Sequence, residues 1–445
     1  MVSALGVNQA WLFTGVFFLV SFLAGLGGAV QIPREPAQLF LDITVIAEAF
    51  VVVVVGGLGS IPGAFLAAFI ISVGKAFCIG IGDQTILGID ISFSRLTLVV
   101  EFIIMAVVLV VRPWGLLGKP QAIARVPGLV EHPLPAIGNR SLLAGAAIVV
   151  VLATMPALGD RYLLVLLIDV FVFALFAVSL HFLMGPAGMV SFGHAAYFGL
   201  GAYGAGLLLK QAGIPMELTL LLAPLVAGIG ALAFGWFTVR LSGVYLAMLT
   251  LAFAQITWSV AFQWDGFTGG SNGMVGVWPS SWLSDRTVFY YLTLAVCVCA
   301  VATVWRIVYS PFGYALRAGR DSPLRAESIG IDLRRLQWFA FALSGLFAGI
   351  AGTLFAYSKG SISPETLAIP RSVDGLVMVL LGGVQTLVGP VVGAAVFTWL
   401  HDELARATEY WRAVMGLVIL VLVVVFPHGI AGYLGHFLRR IRGAA

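Results

Sequence analysis

Charged residues are scarce in this sequence: Asp, Glu, Lys and Arg supply 10% of the 445 residues, whereas 60% are hydrophobic. A water-soluble protein needs more polar surface than this to cover its apolar side chains. We therefore expect the protein to lie in a lipid bilayer and to have no nucleic-acid partner. Apolar runs of about 20 residues, the length of a membrane-spanning helix, recur along the chain. We predict an all-α polytopic membrane protein with roughly a dozen transmembrane or half-transmembrane helices.

Residues with catalytic or metal-binding chemistry are also scarce. The three cysteines form no CxxC pair and the six histidines show no ligand spacing, so neither a disulfide framework nor a metal site is predicted. The sequence contains no phosphate loop of the form GxxxxGKS/T and no HExxH motif. We therefore expect no catalytic residues and no cofactor bound by this chain.

Basic residues cluster in three segments, and this favours a cytoplasmic location for each of them. The segments are 112–140, 306–335 and 439–442. The first apolar run follows no basic stretch and is too long for the core of a signal peptide. It therefore predicts a membrane helix and not a cleaved leader.

A linker and an internal repeat divide the chain. Residues 119–140 are rich in Pro and Gly, a composition that breaks helices, so we predict membrane modules at 1–118 and 141–445 joined by a cytoplasmic linker.

Residues 4–30 overlay residues 328–354, with identical glycines at matching positions. GGLGSIPGAFLAA in the first module also overlays GGVQTLVGPVVGAA in the second, in the same order along the chain. These matches predict a duplication.

The first module corresponds to only the last third of the second. Three explanations stay open: a coding sequence that continues upstream, a genuine fragment fused to an intact module, or completion by a separate subunit. We favour the first explanation and expect upstream glycine-rich membrane helices.

The apolar segment 373–400 contains an interruption. Gly382–Gly383 and Gly389–Pro390 disfavour a continuous helix. With residue 335 and the C-terminus both in the cytoplasm, an even number of crossings must lie between them, which two half-helices or a re-entrant pair would supply. Irregular backbone at membrane depth either lines a cavity or is buried in protein. The glycines thus border a translocation pathway or allow close helix packing.

The 309–332 loop, YSPFGYALRAGRDSPLRAESIGID, is polar but organised. Ser310–Pro311 and Ser322–Pro323 have the chemistry of helix starts, and Gly319 and Gly330 that of the corresponding stops. We predict two short helices, the first of them amphipathic. An ordinary solvated loop on the cytoplasmic side would account for the basic residues but not for the helix starts and stops. A helix that docks on a partner protein would account for both.

Several motifs resemble, in order, the M-type membrane subunit of branched-chain amino-acid ABC importers. They are VSLHFLMGPAGMVSFGHAAYFGLGAYGAGLL, VRLSGVYLAMLTLAFAQ, TGGSNGMVGV, the 309–332 loop and GGVQTLVGPVVGA. This resemblance covers about 141–435, while AFVVVVVGGLGSIPGA and VVRPWGLLGKP resemble the C-terminal part of the sister H-type subunit. It implies a permease of the bacterial inner membrane. The implied partners are two cytoplasmic ATPases that bind ATP and Mg²⁺, a periplasmic amino-acid-binding protein and a second H-type permease half.

The resemblance also implies that the 309–332 loop contacts an ATPase. The residues expected in or near this contact are Ser310, Pro311, Phe312, Gly313, Leu316, Arg317, Gly319 and Arg320. The loop 262–279 lies on the outer side by counting crossings, where it is either a dock for the binding protein or an ordinary turn-rich loop. Its candidate contacts are Thr268, Gly269, Gly270 and Asn272.

The glycine-rich stretch 185–206 permits close backbone approach, between helices or to a ligand. It contains His194, a functional candidate because it lies in an apolar segment; a hydrogen bond to a backbone carbonyl is the alternative. The candidates for the translocation pathway are Gly188, Ser191, Gly193, His194, Tyr245, Thr250, Asp374, Gly382, Gly383 and Gly389.

Two carboxylates leave a second function open. Asp169 and Glu101 lie in apolar segments and must face a bundle interior or become neutral. As a proton relay they would make the protein a secondary transporter, although the 309–332 loop argues against this. An embedded enzyme has no supporting motif. Among importer substrates, the sequence does not separate branched-chain amino acids from other amino acids, urea or short amides.

Overall fold

The computed structural model describes residues 6, 8–33, 36–37, 41–86, 89–119, 139–426 and 429–433. Eight helices in these ranges are long and apolar enough to cross a membrane, and three shorter apolar helices accompany them. The prediction of an all-α polytopic membrane protein is therefore confirmed. Most of the predicted linker, residues 120–138, and the basic residues 439–442 lie outside the described residues.

The helices that precede the linker are α1 (Gln9–Gln31), α2 (Leu41–Gly56), α3 (Ile61–Ile81), α4 (Phe93–Leu96) and α5 (Val100–Val111). The helices that follow it are α6 (Asn139–Thr154), α7 (Arg161–Met184), α8 (Ala195–Lys210), α9 (Met216–Thr238), α10 (Gly243–Gln263), α11 (Asp265–Thr268), α12 (Arg286–Val308), α13 (Pro311–Asp321), α14 (Pro323–Ser328), α15 (Leu333–Lys359), α16 (Ile369–Gly382), α17 (Gly389–Ala407) and α18 (Trp411–Val425). Within the described ranges, four short strands form two antiparallel ladders: β1 (Asp83–Ile86) with β2 (Ile89–Ser92), and β3 (Met274–Val275) with β4 (Ser361–Ile362).

Contacts divide the chain into two compact units, residues 1–50 and 51–445. In the first unit, the Asn8 side chain caps α1 by accepting hydrogen bonds from the backbone of Ala10 and Trp11. No residue of α1 is buried. The helix that carries the matching repeat sequence, α15, is instead buried against α8 and α9 in the second unit.

α7 forms the centre of the second unit. Every residue from 171 to 183 is buried, and the helix packs against α12, α15, α16 and α17. Glycines set the distance between α15 and α8, since a Cβ at Gly201 would collide with the backbone of Gly349. Small residues are the usual means of close helix packing in lipid, where burial against a neighbouring helix gains little over burial in lipid tails.

The predicted interruption is present as a helix break at residues 383–388, between α16 and α17. Gly383 has φ +106°, a conformation open to glycine, and a Cβ at Gly382 would collide with the carbonyl oxygen of Gly389. α16 and α17 lie on either side of this break, between α15 and α18. The even number of crossings stays a prediction. The break lies on the side of the 309–332 loop, because residues of both line one cleft.

The first module contains a similar break between α2 and α3. Gly57 there has φ +101°, close to the value at Gly383. Gly115 (φ +79°) packs on Gly57, and Gly429 (φ +76°) packs on Gly383 in the same way. The sequence repeat is thus also a repeat of backbone geometry.

Candidate functional site

The 309–332 loop folds into the two predicted helices, α13 and α14. Ser310 Oγ accepts a hydrogen bond from the Gly313 N–H at 3.5 Å, and a proline begins each helix. Gly330, with φ +89°, follows α14 in the left-handed conformation expected beyond a helix end. Local chemistry therefore set both starts and the second stop.

Gly319 is not a helix stop, which corrects the prediction. α13 continues to Asp321 and ends where Ser322 adopts an extended conformation before the next proline. Gly319 is buried within the helix, and an added Cβ would collide with the side chain of Leu333. The glycine serves close packing on α15 rather than termination.

α13 has one side on the protein and one side exposed. The residues that are wholly or partly buried include Phe312, Gly313, Leu316, Arg317 and Gly319. Tyr314 is 48% exposed, and Leu324 and Ile329 in the α14 segment are 72% and 75% exposed. Large apolar side chains that are exposed on an otherwise polar loop form a surface that another molecule could cover.

Contacts at the end of α7 link α13 to the helix break. Arg320 Nη1 donates a hydrogen bond to the Gly185 carbonyl at 2.6 Å, and Gly188 packs against the Arg320 side chain. In the last turn of α7, His181 Nε2 lies 2.7 Å from the Val384 carbonyl oxygen in the break. A continuous set of contacts therefore joins α13 to residues 383–388.

His194 lies at the start of α8 and is fully buried. Its Nε2 is 2.9 Å from Ser179 Oγ, and its ring contacts Phe176 and Tyr197. The other ring nitrogen has no hydrogen-bond partner among the described residues, and neither does the buried Ser191 Oγ. The observed partner is a side-chain hydroxyl, not the backbone carbonyl considered from the sequence.

The start of α8 packs on α10, which brings several pathway candidates together. A Cβ at Gly193 would collide with the Thr250 carbonyl, and Thr250 Oγ1 accepts a hydrogen bond from the Phe192 N–H at 3.1 Å. The Tyr245 hydroxyl, also on α10, is buried without a partner in the described part of the chain.

A cleft of about 360 Å³ borders this region. It is lined by Gly188, Met189, Val190, Phe192, Leu241, Ser242, Gly243, Val244, Leu246, Ala247 and Gln337. Its size falls in the range of small-molecule sites, and its lining is mainly apolar. Because Gly188 also contacts Arg320, the cleft lies towards the 309–332 loop.

Four charged residues form two ion pairs, one between α7 and α15 and one within α16. Lys359 Nζ lies 2.7 Å from Asp169 Oδ2, and Arg371 Nη1 lies 3.5 Å from Asp374 Oδ2. We call Asp169, Lys359, Arg371 and Asp374 the charged quartet. Of these, Asp169 and Asp374 were singled out from the sequence, whereas Lys359 and Arg371 were not.

The two carboxylates considered for a proton relay each have a lysine partner. Asp169 pairs with Lys359, and Glu101 on α5 lies 2.7 Å from Lys75 on α3. They therefore belong to separate ion pairs. Within the described ranges, no group of three or more His, Cys, Asp or Glu residues has the arrangement of a metal site.

The loop that joins α10 to α12 contains α11. Thr268 and Gly270 are buried, Gly269 is partly buried and Asn272 is exposed. Thr268 Oγ1 donates a hydrogen bond to the Ala261 carbonyl at 2.6 Å. The exposed aromatic residues of the loop are Trp264, Phe267, Trp278 and Trp282. Such residues suit a membrane–water interface or a protein contact.

Comparisons with known proteins agree with this architecture. A family model described as branched-chain amino acid transport system/permease component matches residues 1–109 and 162–423. The high-affinity branched-chain amino acid transport system permease protein LivM of Escherichia coli (strain K12) is 27% identical over 342 residues, which cover 70% of this chain and 80% of the relative. The corresponding LivH protein of the same organism is 24% identical over 286 residues, or 58% of this chain and 91% of the relative.

One relative is named for the import of a different kind of substrate. The autoinducer 2 import system permease protein LsrC of Photorhabdus laumondii is 28% identical over 153 residues, which cover 33% of this chain and 44% of the relative. No solved structure gives a significant match.

Proposed function

Because the chain belongs to the family of branched-chain amino acid transport permease components, we propose that it forms the membrane pathway of an ATP-driven importer for branched-chain or related hydrophobic amino acids. It is a multi-pass inner-membrane protein, and the described part of the chain contains eight helices long enough to span the bilayer. The proposed substrate follows from the relatives LivM and LivH, whose names state this transport activity.

The observation that carries the proposal is the exposed helix pair of the 309–332 loop and its connection to the helix break. Tyr314, Leu324 and Ile329 offer an apolar surface, and α13 is fixed to the protein through Arg320. A loop that only needs solvation has no use for such a surface. An ATPase docked on it would reach the break through His181 and Val384.

The importer works by changing the relative stability of two helix arrangements. A docked ATPase pair that closes on ATP binds one arrangement more tightly and so shifts the population towards it. The movement enters at α13 and reaches α16 and α17, whose facing glycines allow the helices to slide against each other. His194, Ser191 and Tyr245 supply polar groups near the path of the substrate.

An ABC importer requires ATPase and binding-protein partners. We propose two ATPase subunits below the 309–332 loop and a periplasmic binding protein on the outer loop that carries Trp278 and Trp282. A second, H-type permease half would complete the transporter. ATP and Mg²⁺ would bind to the ATPase subunits, and this chain would hold no cofactor.

The substrate proposal is tested by uptake of radiolabelled leucine in cells that lack other leucine importers. The chain is expressed with its ATPase subunits, binding protein and second permease half. We expect uptake above the vector control that an excess of isoleucine or valine suppresses and an excess of urea leaves unchanged. Leucine uptake at the level of the vector control, or suppression of leucine uptake by urea or short amides, would contradict the assignment.

A further inference from the structure

We propose that the charged quartet is a binding site for the zwitterionic backbone of the transported amino acid. The inference rests on the proposed function and adds the groups that hold the substrate within the membrane. The ligand class is an α-amino acid with an apolar side chain. Arg371 would bind its carboxylate, and Asp169 its ammonium group.

Three members of the quartet, Asp169, Arg371 and Asp374, are partly buried in the helix bundle, and Lys359 lies exposed at the end of α15. The Arg371 guanidinium is centred 5.0 Å from the ring of Phe173, which lies near the middle of the membrane-spanning helix α7. Charged side chains at this depth are costly, and those that occur usually serve a transport pathway. If these residues only held helices together, small residues would do so without burying charge, as they do between α15 and α8.

Two atoms of the quartet still have unused hydrogen-bonding capacity. Arg371 Nε–H and Asp169 Oδ1 are buried, and neither has a partner among the described residues. One is a donor on a cation and the other is an acceptor on an anion. A carboxylate and an ammonium group, separated by one carbon in an amino acid, are the complementary pair.

Aromatic side chains form an apolar wall beside these charges. The centre of the Phe355 ring lies 5.7 Å from the Arg371 guanidinium and 5.9 Å from Lys359 Nζ, so both cations border the same aromatic ring. Phe173 and Phe198 pack on Phe355 at ring distances of 6.0 and 5.3 Å. An apolar substrate side chain would contact this cluster while its backbone charges meet the quartet.

The charges of the quartet balance in both the empty and the loaded state. Two acidic and two basic side chains compensate each other in the structure. A zwitterion adds one charge of each sign, so it can replace part of an internal ion pair without leaving a net charge in the bundle. Urea lacks these charges, and a free amine or fatty acid carries only one of them.

The first test uses Arg371→Gln in proteoliposomes that contain the complete importer, with saturating leucine and binding protein. We expect leucine uptake to fall by about 20-fold or more, the effect of losing a charge-assisted hydrogen bond. The rate of stimulated ATP hydrolysis should stay within about twofold of wild type, because Arg371 is separate from the proposed ATPase contact on the 309–332 loop. The matched control is Arg406→Gln, at the far end of α17, where the arginine is 51% exposed and loss of its ion pairs has little effect.

The second test separates substrate binding from a structural ion pair. The double variant Asp169→Lys/Lys359→Asp keeps one charge of each sign, so a structural pair would recover both assembly and uptake. We expect assembly to recover and uptake to stay lost, because the carboxylate that binds the ammonium group has moved. If Arg371→Gln does not assemble, Arg371→Lys retains the charge without the Nε–H and should assemble with reduced uptake.

Each result has a defined meaning. Uptake in the charge-swapped variant, or normal uptake in the assembled Arg371 variant, would overturn the proposed site while leaving the proposed function intact. Failure of the wild-type importer to transport leucine would instead overturn the proposed function, and the ligand assigned to this site with it.

Discussion

Gly382→Ala is expected to lower the free energy of unfolding of the permease by about 3 kcal/mol or more and to abolish most uptake. The added methyl group would collide with the carbonyl oxygen of Gly389, a backbone atom that cannot rotate away. α16 and α17 would have to separate at the helix break. The measurement is the thermal unfolding midpoint of the purified protein in detergent, together with leucine uptake.

The matched control for this variant is Gly416→Ala on α18. An added Cβ at Gly416 has no neighbour within 4 Å among the described residues, so the same chemical change should leave stability and uptake near wild type. Equal stability and uptake in the two variants would show that the contact between Gly382 and Gly389 is dispensable. The role given to the helix break would then be wrong.

Tyr314→Asp is expected to weaken binding of the ATPase by about 30-fold or more without unfolding the permease. Exposed tyrosines at the centre of an interface often contribute 2 kcal/mol or more to binding, and a carboxylate in their place opposes burial. Tyr314 is about half exposed on α13, so the substitution disturbs little packing inside the chain. Co-purification of the ATPase and its stimulated ATP hydrolysis provide the measurement.

Tyr410→Asp is the control for the ATPase prediction. Tyr410 is 77% exposed on the turn before α18, at the end of α17 remote from the 309–332 loop. This variant should retain the ATPase and couple its hydrolysis to uptake. If Tyr314→Asp also binds and couples normally, the exposed surface of α13 is not the ATPase contact.

Features with local chemistry could be predicted from the sequence. Ser310 and Ser322, each followed by proline, defined the two helices of the 309–332 loop, and paired glycines defined the break between α16 and α17. The internal repeat aligned Gly56–Gly57 with Gly382–Gly383, and the structure has a related break at Gly57. Each of these signals lies within a few residues of the structure it specifies.

Features that depend on tertiary contacts could not be predicted. Gly319 has the chemistry of a helix stop but is used for packing against Leu333. The Asp169–Lys359 pair joins residues 190 positions apart, and no local pattern marks Lys359 as the partner. By contrast, Arg371 and Asp374 are three residues apart on one helix, so their spacing contained a signal that the sequence analysis did not use.

The energy source for transport tests the central claim most directly. The permease is reconstituted in proteoliposomes with its ATPase subunits, second permease half and binding protein, and radiolabelled leucine uptake is followed either with ATP or with an imposed proton gradient and no ATP. An ABC permease predicts accumulation that requires ATP and the binding protein, and no accumulation with the proton gradient alone. Leucine accumulation driven by the proton gradient in the absence of ATP would contradict the account.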